Sequence, residues 1–511
     1  MLKNKKFTSL LAALMVFALV LTGCGQGATD QGGGAEGKDS IVVAQGADAK
    51  TLDPHGTNDQ PSSRVMKQIY NTLVTANEDM EIVEGLAEKW EAVDEKTWEF
   101  TLRQGVKFHN GEELKASDVK FTLERMLGSD QVSHIVEAIE SVEAPEDYKV
   151  VIKLKEPFAP ILFHLSHTAA SILNEKAVKE AGDDYGQRPV GTGPFKFVSW
   201  QSGDRIELEA FEDYFEGAPQ IKKVTFRNIT EGTSRTIALE TGEVDIAYDI
   251  EAIDKEKVIS NDKLDLIEEP SLSLSYIGFN TQKEPFNKKE VRQAISHAIN
   301  RDDIIAVVLN GAGEKAGAPI GPRVFGHNPN IKPHEYNVEK AKELLKQAGY
   351  ENGFKTTIWT NDSPARIQIA QIVQAQLKEI GIDVAIETLE WGSYLDRTAR
   401  GEHDMFILGW VTVTGDADYG LYALYHSSAK GGAGNRSFFE NAKVDELLEK
   451  GRTTVDASER EKIYYEVQEI IVDETPIANL TYGNHNVGIQ KGVKGFRLHP
   501  AGHHRLYGVS F

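Results

Sequence analysis

The chain holds one cysteine, Cys24, and it stands just behind an apolar run of twelve residues, Leu10 to Leu21. A lone thiol closes no internal disulfide, so the fold must be held by a buried core and not by covalent staples. Lys3, Lys5 and Lys6 precede the run, and Thr22-Gly23 separates it from the cysteine. A basic start, a short apolar centre and small residues at the end make a secretory leader. Twelve helical residues reach roughly 18 Å, short of a bilayer core of about 30 Å. No later segment of the sequence reaches about 18 apolar residues.

Leu21-Thr22-Gly23-Cys24 resembles a bacterial lipobox. That resemblance implies cleavage after Gly23, diacylglycerol on the Cys24 sulfur, and a protein anchored to the outer face of the cell membrane. Each buried methylene of such a chain contributes about 0.8 kcal/mol, and two or more chains hold firmly. Gly25 to Lys38 is Gly-rich and polar, the composition of a flexible tether. The whole chain, 511 residues with 40% hydrophobic composition, exceeds what one core usually organises, so two or more lobes are expected. A formal net charge of −22 argues against nucleic-acid partners, whose phosphates it would repel.

Ile41-Val42-Val43-Ala44 reads as a buried strand, and Trp98 to Leu102 alternates with the period of a strand that has one dry face. Asn110-Gly111 supplies a tight turn, and Ser117-Asp118 opens a helix. Later, Ser363-Pro364 begins a helix with Ile367, Ala370, Val373 and Leu377 on its apolar face, followed by a strand at Ile382 to Ile386. Asn337 and Asp456 cap two further helices. This recurrence predicts a mixed α/β (α+β) fold of two lobes.

Signatures of catalysis are missing. The sequence holds no Walker A loop, no G-x-S-x-G elbow, no H-E-x-x-H and no G-x-G-x-x-G. Asp416 to Gly420 resembles a calcium loop only at its start, because Gly420 and Ser427 occupy positions that need oxygen ligands. Pro500 and Gly502 break any helix that would align His499, His503 and His504 on a metal, so these read as packed or surface histidines, and His164-x-x-His167 as structural. No cofactor, metal or catalytic residue is expected.

Several segments in order carry a resemblance: Thr51-Leu52-Asp53-Pro54-His55; Leu86 to Trp90 with Thr97 to Gly111; Ala116 to Leu123; Gly191-Thr192-Gly193-Pro194-Phe195; Ala238 to Ile246; Val291 to Ile295; and Pro500-Ala501-Gly502-His503-His504. Together they resemble the extracytoplasmic peptide- and nickel-binding proteins of ABC importers, family 5, and most of all their glutathione and dipeptide branch. The resemblance implies a Venus-flytrap fold in which residues 39–281 and 482–511 form lobe I, with an inserted subdomain at about 75–188. Residues 282–481 would form lobe II. The hinge strands would pass near Ile277 to Asn280 and Leu480 to Tyr482.

It also implies a monomer that captures short peptides, glutathione among them, and hands them to a membrane permease. The alternatives are a nickel-chelate or other non-peptide binder, a peptide sensor or chaperone lipoprotein, and an extracellular hydrolase. In the dipeptide- and oligopeptide-binding relatives an acid three residues after the tryptophan of Gly409-Trp410 pairs with the peptide ammonium. Here that position is Val413. The resemblance therefore points to Trp410 as an apolar wall and to Thr412, Thr414 and Asp416 as polar contacts, with Asp416 facing the ammonium. Arg64, at a helix start, is expected to grip a carboxylate. Asn361 and Asp362 are expected on the opposite wall.

Overall fold

The structure, a computed structural model, describes residues 38–311 and 313–511. The leader, Cys24 and nearly all of the tether lie outside the described residues. Asp39–Phe511 form one unit in which helices and strands alternate, the expected mixed α/β architecture.

Its largest sheet has eleven strands. From one edge these are Ile382–Leu389, Phe354–Asn361, Met405–Val411, Leu264–Phe279, Ile477–Gln490, Ile246–Ala247, Ser40–Gln45, Lys223–Asn228, Arg205–Ala210 and Phe195–Gln201, with Glu314–Lys315 paired on Ile477–Gln490. The antiparallel pair Leu264–Phe279 and Ile477–Gln490, 16 and 14 residues long, joins the two halves of the sheet. Leu264 to Pro270 pairs with Asn484 to Gln490 beside the first half, whereas Ser273 to Phe279 lies against Met405–Val411 in the second.

The register slips twice, between Pro270 and Leu274 and again between Ser275 and Tyr276, the second adjoining the expected crossing at Ile277 to Asn280. Pro270 has no N–H to give the ladder, so the first break falls there. On the partner strand it faces Tyr482 to Asn484, adjoining the expected Leu480 to Tyr482. A Cβ at Gly483 would sit 2.2 Å from Ser273 Oγ, so a larger residue here would displace that hydroxyl.

Local signals explain the elements that frame the junction. Pro364 occupies the first turn of helix Pro364–Lys378, which buries Ile369, Ala370, Val373 and Leu377 and leaves Ile367 partly exposed. Asn337 accepts the Lys340 N–H at 2.9 Å and Asp456 accepts the Glu459 N–H at 2.9 Å, opening helices Val338–Gln347 and Ala457–Glu474. A separate antiparallel sheet of Ala87–Asp94, Thr97–Leu102, Lys149–Leu154 and Ile139–Glu146 carries helix Ala116–Leu127. This is the stretch expected as an insertion, and its buried residues run into one apolar cluster with Tyr419, Tyr422 and Tyr464 of the second half.

Candidate functional site

Where the two halves of the large sheet meet, a cavity of about 420 Å³ opens, floored by Ser273, Leu274, Ser275 and Gly483 of the crossing strands. Its two walls come from different halves and carry different charge.

The first wall begins at helix Gln60–Ile69. Asp59 caps it, accepting the Ser62 N–H at 3.3 Å and the Thr57 hydroxyl at 2.8 Å, and so places Arg64 on the cavity. Arg64 reaches both carboxylate oxygens of Asp249, at 2.8 and 3.1 Å, with its guanidinium 4.8 Å from the Tyr248 ring centre. Asp249 sits at φ +56°, a left-handed conformation that aspartate tolerates better than most residues. Its side chain remains 49% exposed. Burial opposes the Asp249 charge, but Arg64 more than offsets this and holds the carboxyl well below its usual range. Arg235 donates to the carbonyls of Ile229, Thr230, Tyr248 and Asp249. Glu251 also lines the cavity, partly buried; its carbonyl accepts the Asp254 N–H at 2.9 Å, and among the described residues its carboxylate makes no hydrogen bond or ion pair. Burial pushes its carboxyl up, against the pull of Arg235.

The second wall comes from the edge of the other half-sheet. Strand Met405–Val411 delivers Trp410, Phe354–Asn361 delivers Asn361, and the first turn of Pro364–Lys378 delivers Arg366. Trp410 is 8% exposed, its ring 5.4 Å from that of Tyr419, and its buried indole N–H has no acceptor. Arg366 donates to Asn361 Oδ1 at 2.9 Å and stacks 5.5 Å from the Trp391 ring, but meets no carboxylate. Arg436 donates to the Thr398 hydroxyl at 3.1 Å and to the Ala433 carbonyl, again without a carboxylate. Burial depresses both guanidinium pKa values. No aspartate or glutamate stands on this wall.

Three contacts cross the rim between the walls. Lys50 pairs with Asp396 at 2.6 Å, the Asn58 amide donates to the Tyr419 hydroxyl at 2.8 Å, and the Trp391 indole donates to Asp59 at 3.1 Å.

Of the residues read from the sequence, Arg64, Asn361 and Trp410 line this cavity, and Thr412, Thr414, Asp416 and Asp362 do not. The chain from Trp410 onward turns Trp410, Val411 and Val413 to the cavity and the polar residues inward. Asp416 is 4% exposed, bound to Arg460 at 2.8 and 3.0 Å, and caps helix Ala417–Tyr425 by accepting the Asp418 N–H at 2.9 Å. Burial raises its carboxyl despite Arg460. The Thr414 hydroxyl accepts the Asp416 N–H at 3.3 Å, and Thr412 is 2% exposed, its N–H on the Leu272 carbonyl. All three serve the interior. Asp362 is exposed, beside the wall residues Asn361 and Ser363.

Sequence reasoning missed Asp249, Glu251, Arg366, Arg436 and His503, which also line the cavity. Arg366 carried a readable signal, two residues beyond the helix-opening Pro364 and close to Asn361. The others are brought in by loops of no marked pattern. His503 and His504 are packed inside, as expected of the terminal cluster.

The family model of bacterial extracellular solute-binding proteins, family 5 (middle), matches residues 81–432. The chain belongs to that family. It is 33% identical over 471 residues to the glutathione-binding protein GsiB of Pectobacterium atrosepticum, covering 90% of this chain and 91% of that one. It is 32% identical to the dipeptide-binding protein of Escherichia coli K12, over 92% and 96% of the two chains. Among solved structures, the periplasmic binding protein DppA of Helicobacter pylori in complex with the peptide STSA superposes with a TM-score of 0.89 and 35% identity, covering 93% of this chain and 98% of that one. These family-5 relatives are solute-binding proteins, not enzymes.

Proposed function

We propose that this chain is a lipid-anchored, extracytoplasmic receptor that captures short peptides, glutathione among them, closes on them and passes them to the permease of an ABC importer without chemical change. The observation that carries this reading is the cavity itself. About 420 Å³ lies in the lower part of the usual range for small-molecule sites, about 300–1,000 Å³. It presents two arginines without carboxylates and one indole N–H without an acceptor. Buried donors left unmet are costly, so such a wall suits a guest that brings carboxylates and carbonyl oxygens. Glutathione and short peptides, the ligands for which the relatives are named, carry both.

In this reading the hinge runs through the register slip at Pro270 to Leu274 and its partner at Tyr482 to Asn484. Arg64, Asn361 and Trp410 contact the guest, and a guest touching both walls stabilises the closed form by its differential affinity. Cys24 carries the lipid anchor, and the acidic surface stays clear of nucleic acid. A sensor or chaperone that uses the same clamp without transport would share every feature of the cleft.

One observation favours a second guest. His503 stands on the cavity among the arginines. Among the described residues no group of three or more His, Cys, Asp or Glu is gathered for a bare ion, so a metal cargo would enter already chelated and take one imidazole.

The test is to prepare residues 38–511, identify any co-purifying solute by mass spectrometry, and titrate glutathione, di- to pentapeptides and nickel–histidine by calorimetry. Micromolar or tighter binding of a peptide or glutathione supports the reading. Tight binding of the chelate alone replaces it with the second guest, and turnover of a bound peptide replaces receptor with hydrolase. For the anchor, Cys24→Ala should abolish palmitate labelling of the full-length protein.

A further inference from the structure

The cavity is electrically polarised from wall to wall. Its carboxylates, Asp59, Asp249 and Glu251, all belong to the first half, and the second half supplies none. Two of the three are committed: Asp59 accepts the Trp391 indole N–H, and Asp249 is held by Arg64. Glu251 is not, and it is given room. Its carboxylate lies over Gly232, where a Cβ would come within 2.2 Å of Glu251 Oε1. Any other residue at position 232 would push this carboxylate out of place. The first wall's arginines are already satisfied, Arg64 by Asp249 and Arg235 by four backbone carbonyls. The uncompensated cations, Arg366 and Arg436, face from the second half, where Val413 contributes only apolar surface.

Between these charges the second wall holds a further unmet group. The Trp410 side chain is more than nine-tenths buried, and its indole N–H finds no acceptor. A carbonyl oxygen of the guest would satisfy it.

We propose that the cleft reads a zwitterionic guest in one orientation, its ammonium on Glu251 of the first half, its carboxylate on Arg366 of the second, and an amide carbonyl between them on the Trp410 N–H. This rests on the peptide reading above and narrows it: each end of the guest is held by a different half, so the free ammonium and the free carboxylate are both needed for closure. A guest blocked at either end would engage one wall and leave the other charge unmet.

A protein-by-ligand cycle tests this. Wild type, Glu251→Gln and Arg366→Met, each over residues 38–511, are titrated with trialanine and reduced glutathione, in free, N-acetylated and C-amidated forms. Glu251→Gln should weaken the free guest at least tenfold and the N-acetylated guest less than twofold. Arg366→Met should weaken the free guest at least tenfold and the amidated guest less than twofold. The crossed pairs, Glu251→Gln with the amide and Arg366→Met with the acetylated guest, should keep the tenfold losses. Acetylation and amidation on the wild type alone should each cost at least tenfold, which reads the proposal without relying on a variant's folding. Coupling of Glu251 to the carboxyl end, or no coupling, overturns the orientation and leaves the peptide reading standing. If neither free guest binds the wild type, both readings fall.

Discussion

The two halves of the large sheet meet through two interfaces, and their charges are treated in opposite ways. Away from the cleft, helix Ala417–Tyr425 meets the short helix Ile161–Leu165 of the inserted region through His164. There Asp418, fully buried, takes Arg452 at 3.1 Å on each oxygen and His164 at 3.1 Å, while Arg452 also reaches Glu137 at 2.5 Å. Every charge in that group has a partner within the protein. In the cleft, among the described residues, Arg366 and Arg436 donate only to neutral acceptors, the Glu251 carboxylate has no cation paired to it, and the Trp410 N–H has no acceptor. The contrast teaches what each interface is for. The first is complete and contributes to stability, and the second becomes complete only with a guest.

The largest effect expected is that of acid on the histidines buried away from the cleft. Burial holds His55, His167 and His403 down to about 3, and His109, His134, His334 and His499 to about 4. Their folded values lie below the ordinary 6.5, so the unfolded chain binds more protons in acid. Stability is therefore intact above about pH 6.5 and falls as pH drops through the window toward 4. Each ring carries on the order of 2 kcal/mol between pH 7.5 and 5, so urea unfolding should show a loss of at least about 5 kcal/mol over that interval. None of these seven rings lines the cleft. A flat profile would mean that they are protonated in the fold.

Next, Asp418→Asn leaves Arg452 buried with one carboxylate fewer and should destabilise by about 3–5 kcal/mol. Arg366→Met, which removes a cation that lacks a counter-charge, should change stability by less than about 1 kcal/mol in either direction. Equal losses in the two variants, measured by denaturant titration, would erase the distinction between the interfaces.

A smaller effect separates the roles of Trp410. Trp410→Phe keeps most of the ring and removes the unmet N–H, so guest affinity should fall by about 1 kcal/mol while stability holds or rises. Loss of stability with unchanged affinity would return Trp410 to the interior.

The smallest belongs to the rim. The Lys50–Asp396 pair is 21% and 50% exposed, and Lys50→Met should cost no more than about 1 kcal/mol of affinity, less at high salt.

The same division between completed and incomplete regions decided what was legible in the sequence. Helix starts such as Ser363-Pro364, Asn337 and Asp456 are local: Asn337 and Asp456 cap theirs with side-chain oxygens, and Pro364, with its fixed φ, opens the third although the Ser363 side chain makes no capping bond. Arg64 was legible as a helix-start cation on the cleft, but not its partner Asp249, 185 residues away. The resemblance alone places Thr412, Thr414 and Asp416 in the cleft, and no local feature of the run from Trp410 to Asp416 says which of its side chains face the cavity. Val413 reaches the cavity and the hydroxyls and carboxylate turn inward, since Arg460, 44 residues on, compensates Asp416 there. A pairing over that distance leaves no local trace. Glu251 and Arg436 were invisible for the same reason, being ordinary charges until the fold brings them to the cleft.

A receptor of this kind must close its cleft around a guest, and distance measurement across the cleft tests that closure directly. Residues 38–511 contain no cysteine, so spin labels at Ile253→Cys in the first half and Asp362→Cys in the second, both exposed, report on the two walls alone. Pulsed electron resonance should show a broad distribution with a longer component for the free protein, collapsing to one short distance when a calorimetrically verified guest saturates the cleft. Identical distributions with and without that bound guest would contradict the clamp.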